Sequence, residues 1–363
     1  MRTPKKVLHL VEYLYLGGIE RLLEQLALNT GDGAQLHFFT YETATLGGIG
    51  KAIKDQGFPV FTFKKGPGRD WNLVKELIRV VKENQIEAIH THDFGPTEYA
   101  VLLKLRFPSL RLIHTQHTVH HFLARKSYRY FFQGASYLYD RIVCVSDHVK
   151  NSIIAGCPLV RQSVLQVIPN GVDTKRFAAE TISSPTYSPL KLVSVCRISY
   201  EKNLEYLLNT CRLLKEHQIP FEFHHAGTAK LAATQEKLEK FVTDHNLQNE
   251  VTLHGFMDDP RGVLAKGDFF LSSSLQEGHP VAVLEAMALE KICICSNIAP
   301  HRETAHGVIE LFDLKKETAL FEILKRISQE KPDLNSLKKQ TRDVILNNYS
   351  LKKMVDRYVE LYD

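Results

Sequence analysis

Two carboxylates and two cations in this chain have the types and spacing for chemistry on a charged, hydroxyl-rich ligand. Glu277 and Glu285 lie eight residues apart in Ser272-Ser-Ser-Leu-Gln-Glu277-Gly278-His279-Pro280-Val281-Ala-Val-Leu-Glu285. The segment follows an apolar, strand-like run and enters a helix-like one. Pro280 falls near the first turn, where its missing N–H costs no hydrogen bond. A helix N-terminus attracts anions through free N–H groups and its dipole, so a phosphate fits here. Two carboxylates beside an anion need other partners, and sugar or ribose hydroxyls supply them. The plain alternative is an amphipathic helix with two solvated glutamates. In Ser194-Val-Cys-Arg197-Ile-Ser-Tyr-Glu-Lys202-Asn203, Arg197 and Lys202 flank the end of another strand. A planar guanidinium fork and a compact ammonium can grip a diphosphate and stabilise charge developing on it. Their plain alternative is an ordinary surface pair.

The elements that must position these groups alternate along the whole chain. Strand-like runs at Val7–Val11, Leu36–Thr40, Ala88–His90, Leu112–His114 and Ile142–Val145 are separated by helical patterns such as Ile19–Leu28 and Trp71–Lys82. Pro185 and Pro189 among small polar residues mark a break, after which strand and helix patterns resume from Lys191. The expectation is α/β: two units with mostly parallel sheets, and a ligand cleft at the carboxyl ends of the strands between them. The boundaries read as 1–178, a linker at 179–190, 191–348, and an amphipathic segment at 349–363. Gly47-Gly-Ile-Gly50 lacks the spacing and strand context of a dinucleotide fingerprint and reads as a turn before a helix.

Bulk properties narrow the class. With 363 residues, 44% hydrophobic and 24% charged, the chain suits two globular domains. The start shows no export signal and no segment has the apolar length of a membrane helix, so a cytoplasmic location is expected. The six cysteines then read as reduced core residues, with Cys293-x-Cys295 on a strand rather than on a metal. Residues 1–180 hold 23 Lys+Arg against 16 Asp+Glu, and the remainder 23 against 25. A basic first half suits an anionic partner, such as a phospholipid surface or a phosphorylated acceptor. No recognised nucleic-acid module accompanies that charge, and no nucleic-acid partner is expected. His90, His92, His114, His117, His120 and His121 invite a zinc reading, but without a cysteine or second carboxylate at ligand spacing they read as cleft-lining polar residues.

Glu277 and Glu285 match the Glu-x7-Glu motif of the retaining glycosyltransferases of family GT4, the glycosyltransferase group 1 proteins. Val167-Ile-Pro-Asn-Gly-Val-Asp173, Arg197 to Asn203, Gly17-Gly18-Ile-Glu20 and Thr115-Gln-His117 resemble further family segments in the same order. The resemblance covers essentially the whole chain. It implies a GT-B fold, two Rossmann-like domains facing each other across a cleft, with 349–363 crossing back to the first domain. It also implies a nucleotide-diphosphate sugar as donor, with UDP among the bases left open, and a glycan or lipid-linked acceptor in cell-envelope polysaccharide synthesis. By that resemblance His117, Glu277, Arg197 and Lys202 are the catalytic set. Gly17, Gly18, Arg197, Lys202, Glu277, Gly278, His279, Pro280, Val281 and Glu285 bind the donor, with Glu285 on the ribose hydroxyls. The anomeric configuration is kept, by a front-face transfer through an oxocarbenium-like state. The chain contains no Asp-x-Asp, so metal-free catalysis without a cofactor is expected.

The segment His121 to Gln133 interleaves Arg125, Lys126 and Arg129 with Phe122, Tyr128, Tyr130, Phe131 and Phe132. It reads either as a peripheral contact with an anionic membrane or as a helix packing its aromatics inward. Departures from the family pattern include His279 in place of an aromatic residue, Gly227-Thr-Ala229 in place of Gly-x-Gly, and Ala288-Leu-Glu290 where a glycine is common. The last change predicts a different turn after the helix. Two rivals stay open: a nucleotide-sugar epimerase on the same fold, and a non-catalytic nucleotide-sugar-binding subunit.

Overall fold

A computed structural model describes residues 4–15, 17–41, 46–118, 123–178, 185–229 and 231–362. The chain divides into two compact units, Met1–Gly171 with Leu351–Asp363, and Val172–Ser350.

In the first unit, β1 (Lys5–Val11), β2 (Ala34–Thr40), β3 (Val60–Thr62), β4 (Ala88–His92), β5 (Arg111–Gln116), β6 (Arg141–Cys144) and β7 (Leu165–Val167) form a sheet in the order β3-β2-β1-β4-β5-β6-β7. Every pairing is parallel. Side chains alternate between faces with period two. Val7, Phe38, Ala88, Ile113 and Val143 therefore enter one core, while Leu8, Phe39, Ile89, Leu112 and Ile142 enter the other. The first core is closed by helix Gly18–Asn29 and by helix Leu351–Tyr362, which buries Leu351, Met354, Val355, Tyr358, Leu361 and Tyr362. That i, i+3, i+4, i+7 spacing is one helical stripe. Each apolar side chain buried there contributes about 1.5–3 kcal/mol.

The first unit closes at Gly171 rather than at residue 178. Val172 donates its backbone N–H to the Tyr349 carbonyl at 2.8 Å, and Phe177 packs in a core with Val283 and Met287. Arg342 reaches the carbonyls of Thr174 and Phe177, which ties this stretch to the second unit. Of the expected linker, residues 179–184 lie outside the described residues. Thr186 beyond them donates its N–H to Asp268 at 2.8 Å.

The second unit holds β8 (Leu190–Val195), β9 (Phe221–Ala226), β10 (Val251–Leu253), β11 (Phe269–Ser272), β12 (Ile292–Ser296) and β13 (Glu310–Phe312), all parallel, in the order β10-β9-β8-β11-β12-β13. The reversal of order lies between β8 and β11, whose carboxyl ends carry Arg197 and the Ser272–Glu277 loop. Ligands of open parallel sheets bind at such a switch point.

Candidate active site

Two loops of the second unit are bound to each other. After β8 the chain passes Arg197 and makes a single turn, Tyr200–Lys202, ending on Asn203 with φ 50°. Ser273, at the end of β11, donates its hydroxyl to the carbonyls of Lys202 (3.2 Å) and Asn203 (2.8 Å). Leu275 donates its N–H to the Glu201 carbonyl at 2.7 Å. These bonds set the spacing between two segments some seventy positions apart in sequence, and they bring Lys202 onto Glu277 as an ion pair.

Oε1 of Glu277 accepts from Lys202 Nζ and from the Ser274 hydroxyl (2.7 Å), while Oε2 takes no hydrogen bond from the described residues. The side chains retain 25% and 13% exposure, so the pair is partly desolvated yet reachable. Cys196, Lys202, Ser274, Glu277, Pro280 and Val281 line a depression here. Arg197, next in sequence to the lining Cys196, is exposed and pairs with none of the described residues. Beneath lies a serine–histidine layer. Ser296 donates its hydroxyl to the Ser274 carbonyl at 2.6 Å, and His301 Nδ1 lies 2.8 Å from the Ser296 carbonyl. Burial lowers the His301 pKa, so this support is uncharged.

Gly278, His279 and Pro280 are buried, Pro280 caps the helix Val281–Ala288, and Glu285 is half-buried on it. His279 tilts against Tyr349 at 5.3 Å, and both of its ring nitrogens are buried without a partner. Burial holds its pKa down at about 3, so the ring is neutral. The turn expected to differ after this helix does not differ. Glu290 takes φ 59°, its N–H bonds to the Met287 carbonyl, and the Lys291 N–H bonds to the Ala286 carbonyl, each at 3.0 Å. That is the glycine-type closure made by a glutamate, with a left-handed residue that costs about 1–2 kcal/mol. Gly227 keeps its glycine requirement: at φ 143° an added Cβ would sit 1.8 Å from the Cys196 carbonyl oxygen.

In the first unit, Gly17 and Gly18 are exposed at the N-terminus of helix Gly18–Asn29. His117 follows β5 and is 8% exposed. Its backbone N–H donates to Asp93 Oδ1 at 2.9 Å, and Asp93 also accepts from Thr118 N (3.3 Å) and Gln116 Nε2 (3.1 Å). Burial still pushes Asp93 up to about 6 and His117 down to about 3.

The histidines read as cleft-lining are mostly internal. His90, His92 and His114 are buried because they point inward from β4 and β5; His120 and His121 lie outside the described residues. His9, His90 and His92 offer nitrogens within 4.8 Å of one another. Each of those nitrogens already has a hydrogen-bond partner among the described residues. In helix Lys126–Ala135, Phe131 and Phe132 pack in the core and Tyr128 stacks on Phe94 at 4.4 Å, whereas Tyr130 stays exposed. The described aromatics thus serve mainly as core; Phe122 lies outside the described residues.

The sequence reading did not single out Ser273, Ser274, Ser296, His301 or Asp93. The Ser272-Ser-Ser run at a strand end was the available signal. His301 and Asp93 carry none, since their roles come from contacts between segments.

Two family models match: Glycosyltransferase Family 4 over residues 16–176, and Glycosyl transferases group 1 over residues 189–330. A relative from Escherichia coli, a UDP-Gal:alpha-D-GlcNAc-diphosphoundecaprenol alpha-1,3-galactosyltransferase, is 25% identical, covering 98% of this chain and 96% of its own. A solved glycosyltransferase from Rickettsia africae ESF-5 superposes with TM-score 0.85 at 17% identity, over 99% of this chain and 98% of that one. Anabaena Alr3699/HepE in complex with UDP and glucose gives TM-score 0.82 at 16% identity, over 98% and 99%.

Proposed function

From the premise that the chain belongs to the group 1 glycosyltransferases of family 4 and is a hexosyltransferase, we propose that it takes its sugar from UDP and places it on a lipid-linked or polysaccharide acceptor of the cell envelope. The observation that carries this reading is the Lys202–Glu277 pair, with Arg197 exposed on the segment that leads into the Lys202 turn. Lys202 and Arg197 meet the diphosphate and stabilise the charge that develops as the sugar departs. Glu277 turns its unengaged Oε2 to sugar hydroxyls, and Glu285 accepts from the ribose. Gly17, Gly18 and the first turn of the helix Val281–Ala288 offer backbone N–H groups to phosphate and sugar.

A carboxylate held by a lysine and a serine is a poor nucleophile, which supports front-face transfer with retained configuration over a covalent glycosyl–enzyme. His117 is neutral and serves as a hydrogen-bonding group toward the donor sugar. The positive side chains supply charge stabilisation, so no metal is required in this scheme. No helix of the described residues is long and apolar enough to cross a membrane. A cytoplasmic enzyme touching an anionic leaflet through Arg125, Lys126 and Tyr130 is consistent with the acceptor class named for the Escherichia coli relative.

The test is transfer from UDP-, GDP- and ADP-sugars to a polyprenyl-diphosphate-linked sugar, with and without EDTA, the product anomer being read by NMR. UDP-sugar turnover with the donor's configuration and no EDTA effect is expected. Turnover of another nucleotide only, or an inverted product, would sink the reading.

A further inference from the structure

Four of the buried histidines of the first unit, His9, His90, His92 and His117, are joined through Tyr362 into one continuous hydrogen-bonded chain that ends on His117. Register creates it. His9 on β1 lies opposite His90 on β4, and His92 lies opposite Thr115 on β5. Period two keeps His90, His92, Thr115 and His117 on one face, the face that helix Leu351–Tyr362 covers. Beginning at Thr115, Oγ1 lies 2.8 Å from His90 Nε2, and His90 Nδ1 lies 2.9 Å from the Tyr362 hydroxyl. That hydroxyl is 3.3 Å from His9 Nε2; His9 Nδ1 is 2.9 Å from His92 Nε2, and His92 Nδ1 is 3.1 Å from His117 Nε2. His117 Nδ1 engages none of the described residues.

Burial lowers the pKa of all four rings, so each is neutral and carries one proton. A neutral imidazole donates from one nitrogen and accepts at the other. Along this chain only two arrangements satisfy every bond and also give the Tyr362 hydroxyl proton an acceptor. Either all four rings are protonated on Nε2, Tyr362 donates to His90, and His117 presents Nδ1 as an acceptor. Or all four are protonated on Nδ1, Tyr362 donates to His9, and His117 presents an Nδ1–H donor. Mixed states leave a buried donor facing a donor, an acceptor facing an acceptor, or the Tyr362 hydroxyl proton without an acceptor, each of which is costly away from water. The far end stops at Thr115, whose hydroxyl meets, besides His90, only the buried Tyr358 hydroxyl at 3.4 Å among the described residues.

We propose that Tyr362, His9, His90 and His92 act as a positioning relay that ties the tautomer of His117 to their own, so that its Nδ1 meets a donor-sugar hydroxyl in the hydrogen-bonding sense shared by the whole chain. The claim about the sugar rests on the reading of His117 given above; the coupling of the tautomers does not. The relay also explains the buried triad without a metal, since a cation would take the nitrogens that hold the chain together.

The test uses the full-length protein labelled with 15N-histidine, in which long-range proton–nitrogen spectra distinguish Nδ1–H from Nε2–H rings. The wild type should show His9, His90, His92 and His117 in one shared tautomer. Tyr362→Phe, which removes one hydroxyl, should give His117 a mixture of tautomers and lower kcat about 10-fold with the donor KM unchanged, as loss of an orienting outer partner does. His9→Gln breaks the chain at a second point and should do the same, which guards against a folding defect in either variant. A His117 tautomer unchanged in both folded variants, differing tautomers in the wild type, or one equivalent of zinc taken up on His9, His90 and His92 would overturn the relay. If the tautomer responds to Tyr362→Phe but the His117 resonances ignore added UDP-sugar, the relay stands and the donor-facing role of His117 falls.

Discussion

In the first unit His9, His90, His92 and His117 are deep, neutral and hydrogen-bonded in series, whereas in the second unit Lys202 and Glu277 form an ion pair at loop ends and Arg197 is exposed. The contrast follows from where each set sits. The imidazoles project from strand interiors into a core, where desolvation removes their charge and geometry satisfies their hydrogen bonds. The second set lies beyond the carboxyl ends of β8 and β11, where an ammonium and a carboxylate pair at partial exposure. On the proposed function, the first region would orient and the second would supply charge.

Acidification should break the first region most severely. His9 and His117 fall to about 3 and His114 to about 4, with His90 and His92 also well below 6.5. Their folded values lie below the unfolded value of about 6.5. As pH falls from there the unfolded chain binds protons that the folded one refuses, and stability is lost. Each ring that stays neutral to pH 5 then costs about 2 kcal/mol. Three such rings, His9, His114 and His117, already reach the lower end of the ~5–15 kcal/mol scale of a whole protein's stability, and His90 and His92 act in the same direction. Asp93 works in the opposite sense: its folded value, about 6, lies above the unfolded one, so it gains stability as pH falls through that window. One group against five decides the sign. Urea midpoints measured from pH 7.5 to 5 should fall steeply, with hydrogen exchange rising first on β1, β4 and β5. A flat profile would mean these rings are not buried neutral.

The charged region should fail in catalysis and not in folding. Lys202→Ala and Arg197→Ala each remove a cation expected to stabilise the leaving group and should lower kcat/KM by about 10²–10³, with melting temperatures close to wild type. An equal loss of stability would mean the pair is structural and the comparison fails. The smallest effect lies at Glu290, which takes a left-handed conformation after the helix Val281–Ala288. Glu290→Gly should raise stability by about 1 kcal/mol, seen as a rise in the denaturant midpoint, with activity unchanged. A fall would show that the glutamate side chain contributes packing that outweighs its backbone strain.

The alternation of strands and helices, the restart after residue 190, and the acidic and basic residues of the 197–203 and 277–285 segments could all be read from sequence. Those patterns are local: period two, helical spacing, and motif residues a few positions apart. Even the inward face of His90-x-His92 and Thr115-x-His117 follows from period two once they are assigned to strands. Tertiary structure decided which strands became neighbours, and that is a matter of register. It set His9 opposite His90 and His92 opposite Thr115, and brought Tyr362 from the last helix onto both His9 and His90. It also laid Lys202 on Glu277 through Ser273 and Leu275, and moved the unit boundary to Gly171 through the Val172–Tyr349 bond. These pairings join residues tens to hundreds of positions apart, and no local spacing encodes a hydrogen bond whose two ends meet only when the sheet and its covering helices have packed.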